Sequence, residues 1–385
     1  MHTAHERILI VRLSHLGDVV HGMPVARAVR LAHPRARVAW IVQPEFAGIV
    51  EACGFVDEII HFERRGGLSG WARVERDLSR FSADWTIDAQ GNTKSALVAL
   101  AARAPRRSGL AREDWAEGYG SLSLNDPAPR TPPRTDGTVH ALDKMFTLAR
   151  HVAPGIEPDD RAIAFQSTQD SERAFADRFG VASGPFAILH LASANDVRSW
   201  PVERFEALAR ELARDHDVLV VSGPSESDLG SRVSRATNGF PRVRHWIGQR
   251  DLVELTRVCT GAAEKDAVFV GCDSGPMHIA WASGLRVVVL AGPQDARYTG
   301  PWPPIDRVQP EHHRVIRAAP APHCAPCFSR TCAHPGGNVC MQRIEDVEVA
   351  ALVRAASNAP RVASGAHALR HAARHDVPIA VGSQR

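Results

Sequence analysis

The 385-residue sequence contains very little lysine, with Lys94, Lys144 and Lys265 the only ones among 46 basic residues. Nearly all positive charge therefore comes from arginine, which stays ionised and can bind a phosphate with two N–H groups at once. The net charge of +3 is too small to indicate a nucleic-acid partner. We therefore expect arginines at any phosphate-binding site and no nucleic acid as a partner.

Long hydrophobic runs are absent too, since no apolar stretch approaches the roughly 20 residues that cross a bilayer. The first residues, MHTAHER, lack the pattern of a signal peptide. We therefore predict a cytoplasmic protein. A membrane-linked substrate would have to be met from the cytoplasmic side, with peripheral association at the inner membrane as one option.

Short apolar runs alternate with helix-like stretches along both halves of the chain, which predicts parallel sheets with helical crossovers. The predicted strands are 8–13, 38–42, 58–62, 85–89, 186–191, 218–222, 267–271 and 286–290, and the Pro-rich stretch 125–137 is predicted to be an exposed loop. The length fits two domains. The predicted fold is α/β, with two Rossmann-like doubly wound domains at 1–165 and 166–357 and a flexible tail at 358–385.

The first strand ends in the turn RLSHLGD, which places Asp18 at the start of a helix. This turn has one glycine where a dinucleotide-binding fingerprint has three, so an NAD-dependent oxidoreductase is disfavoured. Asp18 has two interpretations. It either caps the helix or faces a cleft between the domains as a general base.

A second turn, GCDSGPMH, ends a strand at Gly271 and begins a helix with Pro276 in its first turn. The N–H groups and the dipole of such a helix attract anions. The alternative is an ordinary capped helix. Two further turns lie at the same predicted sheet edge, and they offer Ser193 and Arg198 to a phosphate and Glu226 to ribose hydroxyls. Together the three turns favour a nucleoside diphosphate site.

These segments resemble the bacterial ADP-heptose:lipopolysaccharide heptosyltransferases of glycosyltransferase family nine. The resemblance runs from Ile8 to about Val353 and is carried, in order, by ILIVRLSHLGDVVHGMP, IDAQGNTKSA, SWPVERF, CDSGPMHIAWASG and VVVLAGP. It implies the two-domain GT-B fold, with an N-terminal acceptor-binding domain and a C-terminal nucleotide-sugar-binding domain. It also implies inverting transfer of heptose from ADP-L-glycero-D-manno-heptose to a Kdo or heptose of the lipopolysaccharide inner core.

The resemblance also implies roles for individual residues. Asp18 corresponds to the catalytic base. The expected donor-binding residues are Ser193, Arg198, Glu226, Asp273, Ser274, Gly275 and His278. Arg198 stands where many members of the family have lysine. The motif that contains Asp88 also supplies Gln90 and Lys94, which are the candidates for binding the acceptor, a lipid A–Kdo or core oligosaccharide. No cofactor is expected to be required for catalysis.

Four of the seven cysteines lie within 17 positions: Cys324, Cys327, Cys332 and Cys340. Their spacing is compatible with a structural Zn or Fe site. The alternative is four reduced thiols in a loop.

The function of the protein could still differ from heptose transfer to lipopolysaccharide in three ways. The donor could be a different nucleotide sugar, or the acceptor could be a protein or a small molecule. The chain could also be a non-catalytic module that binds nucleotide sugars. Asp18 argues against such a module, because a pure binder has no need of a general base.

Overall fold

The structure is a computed structural model that describes residues 6–156, 165, 168–180, 184–191, 196–301 and 313–359. Ser193 and residues 360–385, most of the predicted tail, lie outside the described residues. The elements of the first half are β1 (Arg7–Val11), α1 (Leu16–Ala32), β2 (Arg37–Val42), α2 (Ala47–Ala52), β3 (Glu58–His61), α3 (Gly67–Phe81), β4 (Trp85–Asp88), α4 (Thr93–Ala101), β5 (Arg106–Gly109), β6 (Asp126–Pro127) and α5 (Ala141–Val152).

The second half repeats this alternation. Its elements are α6 (Gln169–Phe179), β7 (Phe186–Leu191), α7 (Val202–Leu212), β8 (Asp217–Ser222), α8 (Ser227–Ala236), β9 (Val243–Trp246), α9 (Leu252–Ala263), β10 (Val268–Cys272), α10 (Gly275–Ala282), β11 (Arg286–Leu290), α11 (Ala296–Thr299), β12 (His313–Ile316), α12 (Val339–Gln342) and α13 (Asp346–Asn358).

The described residues form two parallel sheets of six strands each, in the orders β3-β2-β1-β4-β5-β6 and β12-β11-β10-β7-β8-β9. Read from its own first strand, each sheet has the Rossmann order, which reverses direction between the first and fourth strands. The central strands are buried on both faces, as their continuous apolar runs predict. The prediction of an α/β fold with two doubly wound sheets is confirmed.

The sequence did not reveal four of these strands, β5, β6, β9 and β12. All four are polar or partly exposed, and β6 also lies inside the stretch predicted to be a loop. Strands at or near the edge of a sheet are less covered by helices, so they lack the continuous apolar run that identifies a central strand. The two residues of β6 pair with β5 at the end of the first sheet.

The two sheets with their helices pack against each other through a shared apolar cluster. Val20, Met23 and Leu142 from the first half belong to the same buried cluster as Met277 and Ala280 from the second. Two glycines permit the closest approach. A Cβ at Gly17 of α1 would lie 2.6 Å from His278 Cδ2, and one at Gly275 of α10 would lie 2.6 Å from Leu16 Cδ2. The helices that begin at the two predicted turns are therefore packed directly together.

Another glycine, Gly261 of α9, lets α9 pack closely against α6. An added Cβ would overlap the carbonyl oxygen of Ser171 and lie 2.8 Å from Phe175 Cβ. We expect Gly261→Ala to lower the free energy of unfolding by about 1–3 kcal/mol, because the backbone of α6 must shift. Gly70→Ala in α3 is the control. Its nearest new neighbour is 3.7 Å away, so alanine should be neutral or stabilise by about 0.5–1 kcal/mol. Urea unfolding of both variants measures the difference, and equal stabilities would contradict this account of the packing.

Candidate active site

The predicted site residues follow the strands at which the strand order of each sheet reverses. In the first sheet, Asp18 follows β1, and Asp88 ends β4. In the second, Arg198 follows β7, and Asp273 follows β10. Ligands of doubly wound sheets bind at this position, where neighbouring helices diverge and leave a crevice at the carboxyl ends of the strands. The two crevices open into one cleft between the domains.

Asp18 lies in the first turn of α1, where Arg12 and His15 hold its carboxylate. Arg12 Nη2 lies 3.0 Å from Asp18 Oδ1, and His15 Nδ1 lies 3.5 Å from Oδ2. Arg12 is buried and also donates through Nε to the carbonyl oxygen of Asp18, at 2.9 Å. The Asp18 side chain itself is 41% exposed. It is therefore an ionised carboxylate in a fixed position with one side open to the cleft.

Burial acts to raise the pKa of Asp18, but the charge of Arg12 and the hydrogen bond with His15 outweigh it, and the net pKa lies below its usual value. This pKa is lower in the folded state than in the unfolded chain, so the ionised Asp18 carboxylate stabilises the folded protein. That contribution is present above about pH 4 and is lost as the pH falls further. Asp18 therefore carries its charge throughout the neutral range. This is the state that a general base requires.

Replacing Arg12 should change the pH dependence of the reaction. In Arg12→Gln the effect of burial is no longer opposed by the guanidinium, so the pKa of Asp18 should rise. The acid limb of the kcat/KM profile, which reports the base of the free enzyme, should then move to higher pH. Arg7→Gln is the matched control, since Arg7 forms a similar pair with Asp84 at 3.1 Å away from the cleft. Profiles of the two variants that coincide would refute the proposed link between Arg12 and Asp18.

The turn between β10 and α10 lies on the opposite wall of the cleft. Ser274 is the N-cap residue of α10, and its side chain makes no capping hydrogen bond, so its hydroxyl is available to a ligand. Asp273 is buried, with Oδ1 3.6 Å from His278 Nε2 and Oδ2 accepting from Thr299 Oγ1 at 3.3 Å. Burial acts to raise the pKa of Asp273, but the interactions with His278 and Arg198 bring it below its usual value. Asp273 thus orients its neighbours as a carboxylate.

Arg198 lies beside this turn and is already paired with a carboxylate. Its Nε donates to Asp196 Oδ1 at 2.8 Å, and its Nη2 bonds Asp196 Oδ2. Its Nη1 donates to the carbonyl oxygen of Asp273 at 3.0 Å. The hydrogen bond to Asp196 is the main cause of a raised pKa for Arg198. Asp196 therefore orients the guanidinium but also competes with any phosphate for its charge.

Glu226 lines a neighbouring cavity of about 380 Å³ together with His190 and Gln249. The Glu226 side chain is buried, and its Oε1 accepts from Ser225 Oγ at 2.6 Å. A buried carboxylate at the wall of a mainly apolar cavity is suited to accept hydrogen bonds from a pair of hydroxyls. The size and lining of this cavity are compatible with a nucleoside, and contact of Glu226 with a ribose stays a prediction.

A larger cavity of about 870 Å³ brings six of the predicted site residues together. Asp18, Arg198, Asp273, Ser274, Gly275 and His278 all line it. Arg198 and Ser274 line both this cavity and the one at Glu226. A ligand that extends from the cavity at Glu226 into the larger one therefore passes Arg198 and the turn Asp273–His278.

Several residues of this cavity were not predicted, and they come from four separate parts of the chain. Phe46, Gln294, Thr299 and the stretch Phe328–Arg330 line it with the predicted residues. None of them belongs to a motif that marks a turn or a phosphate site. Arg12 and His15, by contrast, lie within the first predicted turn. Their closeness to Asp18 in the sequence is a signal from which their contact with it could have been predicted.

Three histidines lie together where the two halves of the chain meet, and two of them, His21 and His278, line the large cavity. The ring of His21 is 4.7 Å from that of His278 and 5.9 Å from that of His140. Burial and the neighbouring histidines hold the pKa of His21 well below its usual value. Burial, with the nearby Arg134, lowers the pKa of His140 to about 3. His140 Nδ1 accepts from the Leu142 N–H, which leaves Nε2 to donate to the carbonyl oxygen of Gly300 at 3.1 Å. The His21 and His140 side chains therefore stay neutral and help to join the two halves.

The predicted acceptor residues lie outside the lining of the large cavity. Gln90 Oε1 accepts from the N–H groups of Leu13 and Ser14, at 2.5 and 3.3 Å, and so supports the turn that carries Asp18. Asp88 is buried and accepts from the N–H groups of Gln90 and Gly91, and burial raises its pKa. Lys94 is exposed on α4. Contact of Gln90 or Lys94 with an acceptor stays a prediction.

The cysteine cluster lies at the carboxyl end of β11. Cys324, Cys327 and Cys332 are exposed and Cys340 is partly buried, all as free thiols. Burial raises the pKa of Cys340, and the neighbouring Cys327, Cys332 and Cys324 add to that rise. In the described ranges, no group of three or more His, Cys, Asp or Glu side chains is arranged to hold a metal ion.

Helices long and apolar enough to cross a membrane are likewise not found in the part of the chain that the structure describes.

The two facing Rossmann-like domains match solved GT-B glycosyltransferases. A glycosyl transferase family 9 structure from Veillonella parvula superposes with a TM-score of 0.73 at 18% identity, covering 93% of this chain and 98% of that one. A heptosyltransferase of Escherichia coli, solved with ADP, gives a TM-score of 0.68 at 23% identity, covering 90% and 99%. The fold is therefore that of the GT-B glycosyltransferases.

The sequence identifies the family. The model of glycosyltransferase family 9 (heptosyltransferase) matches residues 71–336, well over half of the chain, and the protein belongs to this family. A lipopolysaccharide core heptosyltransferase of Haemophilus influenzae is 24% identical over 79% of this chain and 84% of its own length. The protein is thus a glycosyltransferase, and the predictions of fold and family are confirmed.

Proposed function

We propose that the protein is an inverting heptosyltransferase. It would transfer heptose from ADP-L-glycero-D-manno-heptose to a Kdo or heptose of the lipopolysaccharide inner core. The observation that carries the proposal is the shared cavity, in which an ionised Asp18 faces the turn Asp273–His278. A pure binding module has no need of a carboxylate in that position. The names of the relatives support heptose as the sugar and lipopolysaccharide as the acceptor.

The donor would lie along the C-terminal wall. Its nucleoside would enter the cavity beside Glu226 and its diphosphate would reach Ser274 and the start of α10, where N–H groups and the helix dipole favour negative charge. Arg198 would share its charge between Asp196 and the diphosphate. Ser193 is a further predicted phosphate contact, but it lies outside the described residues. This arrangement places the sugar in the larger cavity, toward Asp18.

Transfer would then be a single displacement. Asp18 takes the proton of the acceptor hydroxyl as its oxygen bonds to the anomeric carbon, and the bond between that carbon and the diphosphate oxygen breaks with inversion. ADP leaves with the electron pair, stabilised by Arg198, the Ser274 hydroxyl and the amides of α10. The lowered pKa makes Asp18 a weak base, so we expect proton transfer to occur late, when the attacking oxygen has become acidic.

The acceptor would be bound in the N-terminal domain, with Gln90 and Lys94 as candidates, and a lipid A–Kdo acceptor would be met at the cytoplasmic face of the inner membrane. Incubation with ADP-heptose or UDP-glucose and a heptose-free core acceptor tests the proposal. We expect release of ADP, and formation of a heptosylated product with inverted anomeric configuration. Release of UDP instead would identify a different donor, and nucleotide binding without product would favour the binding module.

A structural metal at the cysteine cluster stays a separate prediction. The thiols as placed do not form a metal site, so no step of transfer is assigned to a metal. The spacing of the four cysteines, which is compatible with a structural Zn or Fe site, is what supports the prediction. Protein purified without a His tag should contain close to one equivalent of Zn or Fe. Less than about a tenth of an equivalent would rule the metal out, since structural zinc sites bind tightly at neutral pH.

A further inference from the structure

Part of the cysteine-rich segment enters the same cavity as Asp18. Phe328, Ser329 and Arg330 line the cavity wall. The N–H groups of Cys327 and Phe328 both donate to the carbonyl oxygen of Pro293, at 3.0 and 2.9 Å. The Phe328 ring meets the Tyr298 ring edge-on, with centroids 5.6 Å apart. These contacts fix the segment beside the end of β11 and hold Arg330 at the cleft.

The charges of the wall distinguish Arg330 from the other arginine there. The lining residues include three acidic ones, Asp18, Asp196 and Asp273, and two arginines, Arg198 and Arg330. Asp196 binds Arg198 through two of its nitrogens. Arg330 is exposed, and within the ranges that the structure describes it forms no ion pair or hydrogen bond with a carboxylate. Its charge is therefore available to an incoming anion.

The position of Arg330 indicates which anion this is. The nucleoside cavity is lined by Glu226 and Arg198 but not by Arg330. The diphosphate would lie at the wall that the two cavities share, beside Arg198 and Ser274. Arg330 lines only the larger cavity, together with Asp18, Arg198 and Ser274. Two anions could therefore meet it, the donor diphosphate and an anionic group of the acceptor. Arg198 and the start of α10 already face the diphosphate, which leaves the acceptor as the anion for Arg330.

We propose that Arg330 binds an anionic group of the acceptor, a carboxylate of an acidic sugar or a phosphate, next to the hydroxyl that reacts. This assignment rests on the proposed function, and it makes the C-terminal domain a contributor to acceptor recognition. The planar guanidinium can bind either group through two parallel hydrogen bonds, which would orient the acceptor as well as attract it.

The test compares Arg330→Ala with Arg330→Lys, and with Arg343→Ala as the matched control. Arg343 is exposed in the same region and does not line the cavity. At saturating donor, we expect Arg330→Ala to raise KM for the acceptor by about 10- to 100-fold, as loss of a charge-assisted hydrogen bond implies. Lysine should restore part of the affinity. KM for the donor, the Kd for ADP and the behaviour of Arg343→Ala should be unchanged.

Modified acceptors identify the anion. Methyl esterification of the acceptor carboxylate should remove the difference between Arg330→Ala and the unmutated protein if the carboxylate is bound, and dephosphorylation should do so if a phosphate is bound. An unchanged acceptor KM in Arg330→Ala, or an equal weakening of ADP binding, would overturn the assignment.

Failure of the proposed function gives a different result, namely no transfer by the unmutated protein. Binding of the acidic sugar Kdo, followed by NMR, then tests Arg330 independently. Weaker binding by Arg330→Ala than by Arg343→Ala supports the assignment. Equal binding by the two variants, or no binding by the unmutated protein, refutes it.

Discussion

Asp18→Asn is expected to lower kcat for sugar transfer by about 10²- to 10⁴-fold, the range that removal of a general base produces. Asparagine keeps the size of the side chain and its hydrogen bond with Arg12, but it cannot take the proton of the acceptor hydroxyl. Asp18 does not line the cavity at Glu226, where the nucleoside is proposed to bind, so the Kd for ADP should change little. Transfer rates and ADP binding, measured on the same preparations, check both expectations.

The control for this variant is Asp84→Asn. Asp84 is also paired with an arginine, Arg7, at 3.1 Å in the N-terminal domain, but it does not line the cleft. Its replacement should leave kcat unchanged. Near-normal turnover by a correctly folded Asp18→Asn would show that another group takes the proton. In that case Asp18 would be only a residue of the first turn of α1 that pairs with Arg12.

Arg198→Ala should produce the second large effect, a fall in kcat of about 10²- to 10³-fold. Loss of one preorganised group that stabilises developing charge has this magnitude. Arg198 is held by Asp196 and by the carbonyl oxygen of Asp273, so it is oriented before the donor arrives. Many relatives are expected to have lysine at this position, so Arg198→Lys should retain much of the activity.

Arg354→Ala is the matched control for Arg198→Ala. Arg354 is likewise paired with carboxylates, Asp215 and Glu211, but on a part of the C-terminal domain outside both cavities. It should leave kcat and ADP affinity as they are. If Arg198→Ala and Arg354→Ala had equal activity, the departing diphosphate would be stabilised by α10 and Ser274 without the guanidinium.

The sequence predicted the central strands of both sheets, because each is a continuous apolar run between a helix and a turn. It did not predict β9 or β12, which lie at sheet edges and mix charged with apolar residues. Asp18 and the turn Asp273–His278 could be predicted for a related reason. In a doubly wound sheet the chemistry lies where strand meets helix, so the residues of one turn are adjacent in the chain.

Contacts between distant segments could not be predicted in this way. Gln90 supports the turn at Leu13 across 77 positions, and Arg198 bonds Asp273 across 75. Such pairs leave no periodic or local pattern in the sequence. The same holds for Phe328–Arg330, which a sequence interpretation places in a cysteine loop and the structure places at the cleft.

The sequence by itself determined the class of fold, the family and the two turns at which we propose that the main chemistry takes place. Apolar runs and turn residues act locally, so they can be recognised from the sequence alone. Only the tertiary structure decided that the two turns face each other, through the close approach of Gly17 to His278 and of Gly275 to Leu16. It also decided that Asp196 shares the charge of Arg198. The facing of the two turns depends on how the two sheets pack, and that packing is set by surfaces drawn from the whole chain. The pair of Asp196 and Arg198 depends instead on the conformation of the loop after β7.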